Sequence, residues 1–121
     1  MGLTGGIMSL PISLHVICRH ENPLPRGLKP LDLATGEHES VSWLFDRKYD
    51  ALLPGKIFAL HDKKSSPSYF GGRIIRIERR QIEDNNNAER AVIIFVASRE
   101  GKGLAWPPTT NPNEIVGFGI G

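Results

Sequence analysis

Apolar and polar side chains alternate along several short stretches of the chain, which is the pattern of β-strands. Residues 12–19 carry apolar side chains at every even position, and they predict a strand with one buried face. Residues 56–61 and 73–80 also alternate, and the second stretch has one cationic face. Residues 91–97 are apolar on both faces and rich in β-branched side chains. This last pattern is typical of a central strand that is covered on both sides.

The connections between these stretches predict how the strands pair. Asn85, Asn86 and Asn87 precede the stretch 91–97 and tolerate the positive φ of a tight connection, so we expect an antiparallel hairpin there. The tail, residues 114–121, predicts one last strand, which its glycines weaken. Two proline-rich stretches, residues 21–32 and 106–114, are interpreted as surface loops.

One segment, residues 40–53, follows helical spacing instead. Its apolar side chains recur near every third or fourth position, Ser40 is placed to cap the N-terminus, and Pro54 with Gly55 ends it. The order of elements is then strand, long loop, helix and three or four antiparallel strands. We therefore expect a mostly β protein of the α+β kind, a small antiparallel β-barrel with one main helix at an opening.

The length of 121 residues predicts one domain. We place this domain at residues 10–121, after a flexible, glycine-containing leader at residues 1–9. No stretch approaches the roughly 20 apolar residues of a membrane span, and the N-terminal segment lacks the basic region of a signal peptide. A cytoplasmic location without a membrane partner is therefore expected.

Basic charge is concentrated between residues 52 and 80. This segment holds seven basic and two acidic side chains, whereas the formal net charge of the whole chain is only +2. Such a concentration indicates an anionic partner, which we expect to be nucleic acid or a nucleotide. A solvated strand face or protection of a sheet edge is the alternative explanation of the arginines. The candidates for phosphate contacts on this strand are Arg73, Arg76, Arg79 and Arg80.

Aromatic side chains and glycines near the basic segment are candidates for holding a base. Trp43 lies in the predicted helix, where core packing competes with base stacking. Tyr69 and Phe70 follow a loop that contains lysines, a setting in which single-strand binders use aromatic rings. Gly71 and Gly72 either form a turn or let backbone N–H groups approach a phosphate.

His61 ends a predicted strand and is followed closely by Lys63 and Lys64. A histidine in this setting is a candidate general acid or base for RNA cleavage, and a lysine would stabilise the charge of the phosphorane. A histidine that only bonds the following loop is the alternative. If the protein is a binding module, His61, Lys63 and Lys64 are expected to belong to its nucleic-acid-binding site. If it is an enzyme, its catalytic residues are expected to be His61, Lys63, Lys64 and Tyr69.

The histidines and the cysteine near the N-terminus do not predict a metal site. Strand alternation sends His15 to the opposite face from Cys18 and His20, so these three side chains do not converge. We expect no metal and no cofactor.

Residues 40–97 resemble the middle of the PUA-like superfamily, most of all its EVE branch and more weakly its ASCH branch. The resemblance rests on a helix ending at residues 53–56, an aromatic strand at 57–61, a loop rich in Ser, Pro and Lys, and a glycine-initiated strand at 71–75. The chain lacks the early Trp motif of the EVE branch, and its loop 20–38 has no counterpart. The resemblance implies a barrel whose mouth holds a nucleotide, often with a modified base.

Three functions remain open from the sequence. The first is a non-catalytic PUA-like module that binds nucleic acid or a nucleotide and recognises a modified base. The second is a small ASCH-type ribonuclease or nucleoside-directed hydrolase. The third is a phage or mobile-element protein whose basic face binds a host protein. The lack of an acid/base pair in a defined motif favours the binding module.

Overall fold

The computed structural model describes residues 10–21, 24–25, 27–82, 88–108 and 115–120. The predicted leader at residues 1–9 and the asparagines at 85–87 lie outside the described residues. The described residues form nine strands. These are β1 (Pro11–Ile17), β2 (His20–Glu21), β3 (Leu24–Pro25), β4 (Leu28–Asp32), β5 (Glu37–Trp43), β6 (Ile57–His61), β7 (Phe70–Ile82), β8 (Ala88–Ala97) and β9 (Val116–Ile120).

Seven of these strands form one sheet in the order β4-β5-β8-β7-β6-β1-β9, and β2 pairs with β3 separately. Only β1 and β6 are parallel neighbours in this sheet, and the other pairs are antiparallel. The protein is therefore mostly β and mostly antiparallel, as predicted. Within the described residues β4 and β9 are the two edges of an open sheet, so the predicted barrel is not confirmed.

The predicted hairpin is confirmed by the long antiparallel pairing of β7 with β8. Residues 91–95 of β8 are fully buried because β8 lies inside the sheet, with β5 on one side and β7 on the other. The predicted strands at 56–61 and 114–121 also correspond to β6 and β9. Strong alternation and β-branched side chains were sufficient to locate these elements.

The predicted helix at residues 40–53 is wrong. Its first residues belong to β5, which pairs with β8, and a single 3₁₀ turn, Arg47–Tyr49, follows with Asp46 as its N-cap. Ser40 does not cap a helix, because its buried hydroxyl accepts a hydrogen bond from the Trp43 indole at 2.9 Å. Helical spacing over so short a window is a weak preference, and pairing with a buried central strand overrides it.

The interpretation of residues 21–32 as a loop is also wrong in part, because β4 occupies Leu28–Asp32. Pro30 lacks the N–H that a central strand needs, yet it is tolerated here since β4 is an edge strand. Within the described residues no helix is long and apolar enough to cross a membrane.

Strand β1 is buried on both faces rather than on one. Leu14 and Val16 are fully buried in the main core, as the alternation predicted. On the opposite face Ser13 and His15 are also buried, at 8% and 3% exposure. The prediction of a half-buried strand is therefore wrong. The second face of β1 instead lies under a layer of polar and aromatic side chains.

Candidate functional site

The arginines of β7 do not form a free cationic face, because each of them bonds a carboxylate. Arg79 is held by Asp50 at 2.7 Å, and Arg80 by Glu39 at 3.1 Å. Those carboxylates lie far away in the sequence, so counting charges within residues 52–80 overestimated the free charge. The remaining pairs are Arg73 with Glu100, and Arg76 and Arg80 with Glu78.

The predicted aromatic residues are held by protein contacts. Trp43 is 6% exposed and belongs to the core. The half-buried Tyr69 donates its hydroxyl to the Cys18 carbonyl, and burial raises the pKa of this phenol, so it stays protonated. Phe70 packs edge-on against His38 and Phe95. The structure therefore does not bring these three rings together as an open stacking platform.

Gly71 and Gly72 lie inside β7 and are buried, so they form neither a turn nor an exposed phosphate cradle. A Cβ on Gly71 would lie 1.9 Å from the Phe58 carbonyl oxygen, and one on Gly72 would lie 1.8 Å from the Val96 carbonyl oxygen. The glycine pair is needed because the backbones of the neighbouring strands approach too closely for any side chain.

A chain of hydrogen bonds crosses the second face of β1. The Ser13 hydroxyl lies 2.9 Å from His15 Nε2, and His15 Nδ1 lies 2.8 Å from His61 Nε2. His61 Nδ1 lies 2.9 Å from the Ser66 carbonyl oxygen. The parallel pairing of β1 with β6 sets His15 opposite Ala59 and Ile17 opposite His61. The two histidines therefore lie two positions apart on neighbouring strands. His61 is completely buried, so its ring has no surface on which to meet a substrate.

The direction of this hydrogen-bond chain follows from its last acceptor. The Ser66 carbonyl oxygen can only accept a hydrogen bond, so His61 Nδ1 carries a proton. In the neutral ring His61 Nε2 is then unprotonated and acts as an acceptor. His15 Nδ1 must then donate, which leaves His15 Nε2 to accept from the Ser13 hydroxyl. Burial lowers the pKa of His15 to about 4, with a smaller contribution from His61, and burial also lowers the pKa of His61. Both rings are therefore neutral at pH 7, as this direction requires.

Trp106 covers the two histidines. Its ring centroid lies 6.0 Å from that of His15 and 5.2 Å from that of His61, with edge-on geometry in both cases. Within the described part of the chain its buried indole N–H has no hydrogen-bond partner. A Cβ on Gly117 would lie 3.0 Å from the Trp106 ring, and one on Gly119 would lie 2.0 Å from the Ser13 hydroxyl. Because Gly117 and Gly119 have no side chains, β9 leaves space for the Trp106 ring and the Ser13 hydroxyl.

Two loops meet beside this layer, and we call residues 62–68 and 99–106 the two-loop surface. Ser68 joins them with four hydrogen bonds of 2.7–2.9 Å to residues 101–104. Because Ser68 is buried and uses both its backbone and its side chain, the loops hold each other in place.

Four basic side chains lie on the two-loop surface. The Lys64 ammonium lies 5.5 Å from the centroid of the Trp106 ring, a cation–π distance. The other three are exposed and have no ion pair within the described residues, unlike the arginines of β7. They are Lys63, Arg99 and Lys102. The surface also carries the carboxylates of Asp62 and Glu100. Glu100 forms an ion pair with Arg73.

Sequence reasoning found His61, Lys63 and Lys64, but it missed Trp106, Lys102 and the roles of Ser13 and His15. Trp106 was missed because it lies in a proline-rich stretch that has no strand or helix pattern. The one available signal was the alternation of small and large residues in the tail, since Gly117 and Gly119 fall on the same face of a strand.

Among the residues that the structure describes, no group of three His, Cys, Asp or Glu side chains is placed to hold a metal ion. Comparisons of the chain with protein-family models, with curated proteins and with solved structures found no match.

Proposed function

We propose that this protein is a binding module for single-stranded nucleic acid or nucleotides, and that the two-loop surface is its contact site. The observation that carries the proposal is the set of hydrogen bonds from Ser68, because they join two distant segments that carry basic side chains. The joined loops expose Lys63, Arg99 and Lys102, and they also carry Trp106 with the Lys64 ammonium over its ring. Phosphates bind to cations of this kind, and partly exposed aromatic rings beside them accept bases.

Because the β7 arginines form ion pairs, we assign the phosphate contacts to the two loops and not to this strand. An arginine that already bonds a carboxylate must break or share that bond to contact a phosphate. Lys63 and Lys102 have no such competitor within the described residues. The resemblance of residues 40–97 to the EVE branch also supports a nucleotide ligand. This support is weaker, because the helix that formed part of the resemblance is absent from residues 40–53.

The binding proposal predicts a salt dependence that differs between the two basic regions. Affinity for a single-stranded oligonucleotide should fall as salt rises, with a log–log slope of about −0.7 for each phosphate contact. The double variant Lys63→Ala/Lys102→Ala should therefore reduce the magnitude of the slope by about 1.4. The measurement is fluorescence anisotropy with a labelled oligonucleotide across a salt series.

The matched control is Arg76→Ala/Arg80→Ala, which removes the same number of positive charges from paired positions. We expect this control to change the slope by less than half as much. A larger loss of slope in the control than in the lysine variant would move the contact back to β7. Wild-type protein that binds no oligonucleotide even at low salt would reject the proposal and favour a protein partner.

A ribonuclease that uses His61 directly finds less support. The ring is fully buried, and both of its nitrogens are engaged, one by His15 and one by Ser66. The Tyr69 hydroxyl is likewise committed to the Cys18 carbonyl. Acid/base chemistry on RNA by these groups would require the layer under Trp106 to open.

A further inference from the structure

We propose that the open edge of the sheet at β9 pairs with β9 of a second copy of this chain, so that the protein forms a symmetric dimer. The pairing is antiparallel, and its two-fold axis passes through the Phe118 pair. This inference is independent of the nucleic-acid proposal, because β9 consists of residues outside the two-loop surface.

The first support is the backbone of β9. In its antiparallel pairing with β1, Phe118 lies opposite Leu14, and the Ile17 N–H donates to the Ile115 carbonyl oxygen at 2.9 Å. Hydrogen-bonded and non-bonded residue pairs alternate along an antiparallel ladder, so the odd-numbered residues of β9 are the ones that bond β1. The backbone N–H and C=O groups of Val116 and Phe118 therefore point away from β1. Within the described residues no other strand pairs with them.

The second support is the self-complementary sequence of β9, which reads Val-Gly-Phe-Gly-Ile. When two copies pair about Phe118, this residue faces its own counterpart and Val116 faces the partner's Ile120. Gly117 likewise faces the partner's Gly119. Apolar side chains therefore meet on one face of the extended sheet, and the glycines leave the other face free of clashes. The outward backbone groups of the even-numbered residues come into hydrogen-bonding register in the same arrangement.

The third support is charge. Residues 10–17 and 115–120 contain no Lys, Arg, Asp or Glu, so two copies meet at this edge without like charges. The opposite edge differs, because β4 carries Lys29, Pro30 and Asp32. Charged side chains and proline are the means by which edge strands avoid pairing with another chain. The sequence protects the β4 edge in this way and leaves the β9 edge without such protection.

The fourth support is the apolar surface beside β9. Ile12 and Ile120 are 51% and 53% exposed, and they are neighbours because Ile120 pairs with Pro11. Phe118 stacks on Tyr49 with 4.1 Å between ring centroids, so its ring has a defined position on the same face as Ile120. A second copy of β9 would cover these side chains and remove their apolar surface from water.

The test is sedimentation equilibrium of the full chain over a concentration series. We expect the average mass to rise from 13.4 kDa, the mass of one chain, toward twice that value. Ile120→Lys should raise the dissociation constant of the dimer by about tenfold or more, because it places an ammonium group without a partner in the interface. A mass of one chain at every concentration would overturn the proposal.

The matched control is Leu33→Lys, which makes the same change of charge in the turn between β4 and β5. Leu33 is 88% exposed and lies at the opposite edge of the sheet, so this variant should dimerise like the wild type. Weakening by Leu33→Lys that equals the effect of Ile120→Lys would show that the interface is not at β9.

Disulfide cross-linking under oxidising conditions tests the register. In Val116→Cys/Ile120→Cys the new thiols face each other across the interface at a Cα separation of about 5.5 Å, which a disulfide can span. In Ile120→Cys alone the two new thiols lie four positions apart, about 13 Å, and should not cross-link. A double variant that dimerises without cross-linking, or equal cross-linking in both variants, would contradict the pairing about Phe118.

Discussion

Replacing Gly101 by alanine should lower the free energy of unfolding by more than about 3 kcal/mol, because the new Cβ would overlap backbone atoms. It would lie 2.3 Å from the carbonyl carbon of Gly71 and 2.4 Å from the nitrogen of Gly72. Backbone atoms inside a paired strand cannot rotate away, so the 3₁₀ turn Arg99–Gly101 would have to leave β7. The two-loop surface would be displaced with it.

The matched control for this substitution is Gly103→Ala in the same loop. Gly103 has a positive φ of 75°, but no heavy atom lies within 4 Å of its would-be Cβ. Alanine there should cost only the strain of a left-handed residue, about 1–2 kcal/mol. Urea denaturation of both variants measures the difference. Equal losses of stability would show that the close approach of Gly101 to β7 is not essential.

Acid should destabilise the protein through the buried histidines. The pKa of His15 is about 4 in the folded protein and 6.5 in the unfolded chain, so between these values the unfolded state binds more protons. Stability from this group is therefore complete above pH 6.5 and is lost as pH falls toward 4. The loss amounts to about 2 kcal/mol at pH 5 and roughly 3 kcal/mol at full protonation. The lowered pKa of His61 acts in the same direction.

Denaturant titrations at pH 7, 6 and 5 measure this effect, with His15→Gln as the comparison. Glutamine does not titrate but still offers a donor and an acceptor, so the variant should be less stable at pH 7 and less sensitive to acid. The carboxylates of Glu78, Glu89 and Glu100 have lowered pKa values and also favour folding at higher pH. They are common to both proteins and cancel in the comparison. The same pH slope in both proteins would contradict the linkage to His15.

Strands were predictable where the local pattern was strong, by alternation in β6 and β7 and by a run of apolar, β-branched side chains in β8, because these patterns are local properties of the chain. The error over residues 40–53 has a different origin. Nothing near Ser40 in the sequence shows that β8 will pair with this segment, and that long-range pairing decides between strand and helix.

The candidate site was predictable only in its local parts. His61 and Lys63 stood out because they are neighbours in the sequence. His15 lies close to His61 because β1 pairs in parallel with β6, and no local sequence pattern predicts that pairing. The ion pairs of the β7 arginines likewise depend on distant carboxylates such as Asp50. Concentrated charge in the sequence predicted an anionic partner, but it did not show which basic side chains form ion pairs in the folded protein.

The most direct test of the proposed binding site is a titration of ¹⁵N-labelled protein with a single-stranded oligonucleotide, followed by backbone amide NMR. The binding account predicts concentration-dependent shifts within residues 62–68 and 99–106, with much smaller shifts within residues 73–80. Shifts confined to residues 73–80, or no shifts at low ionic strength, would contradict it.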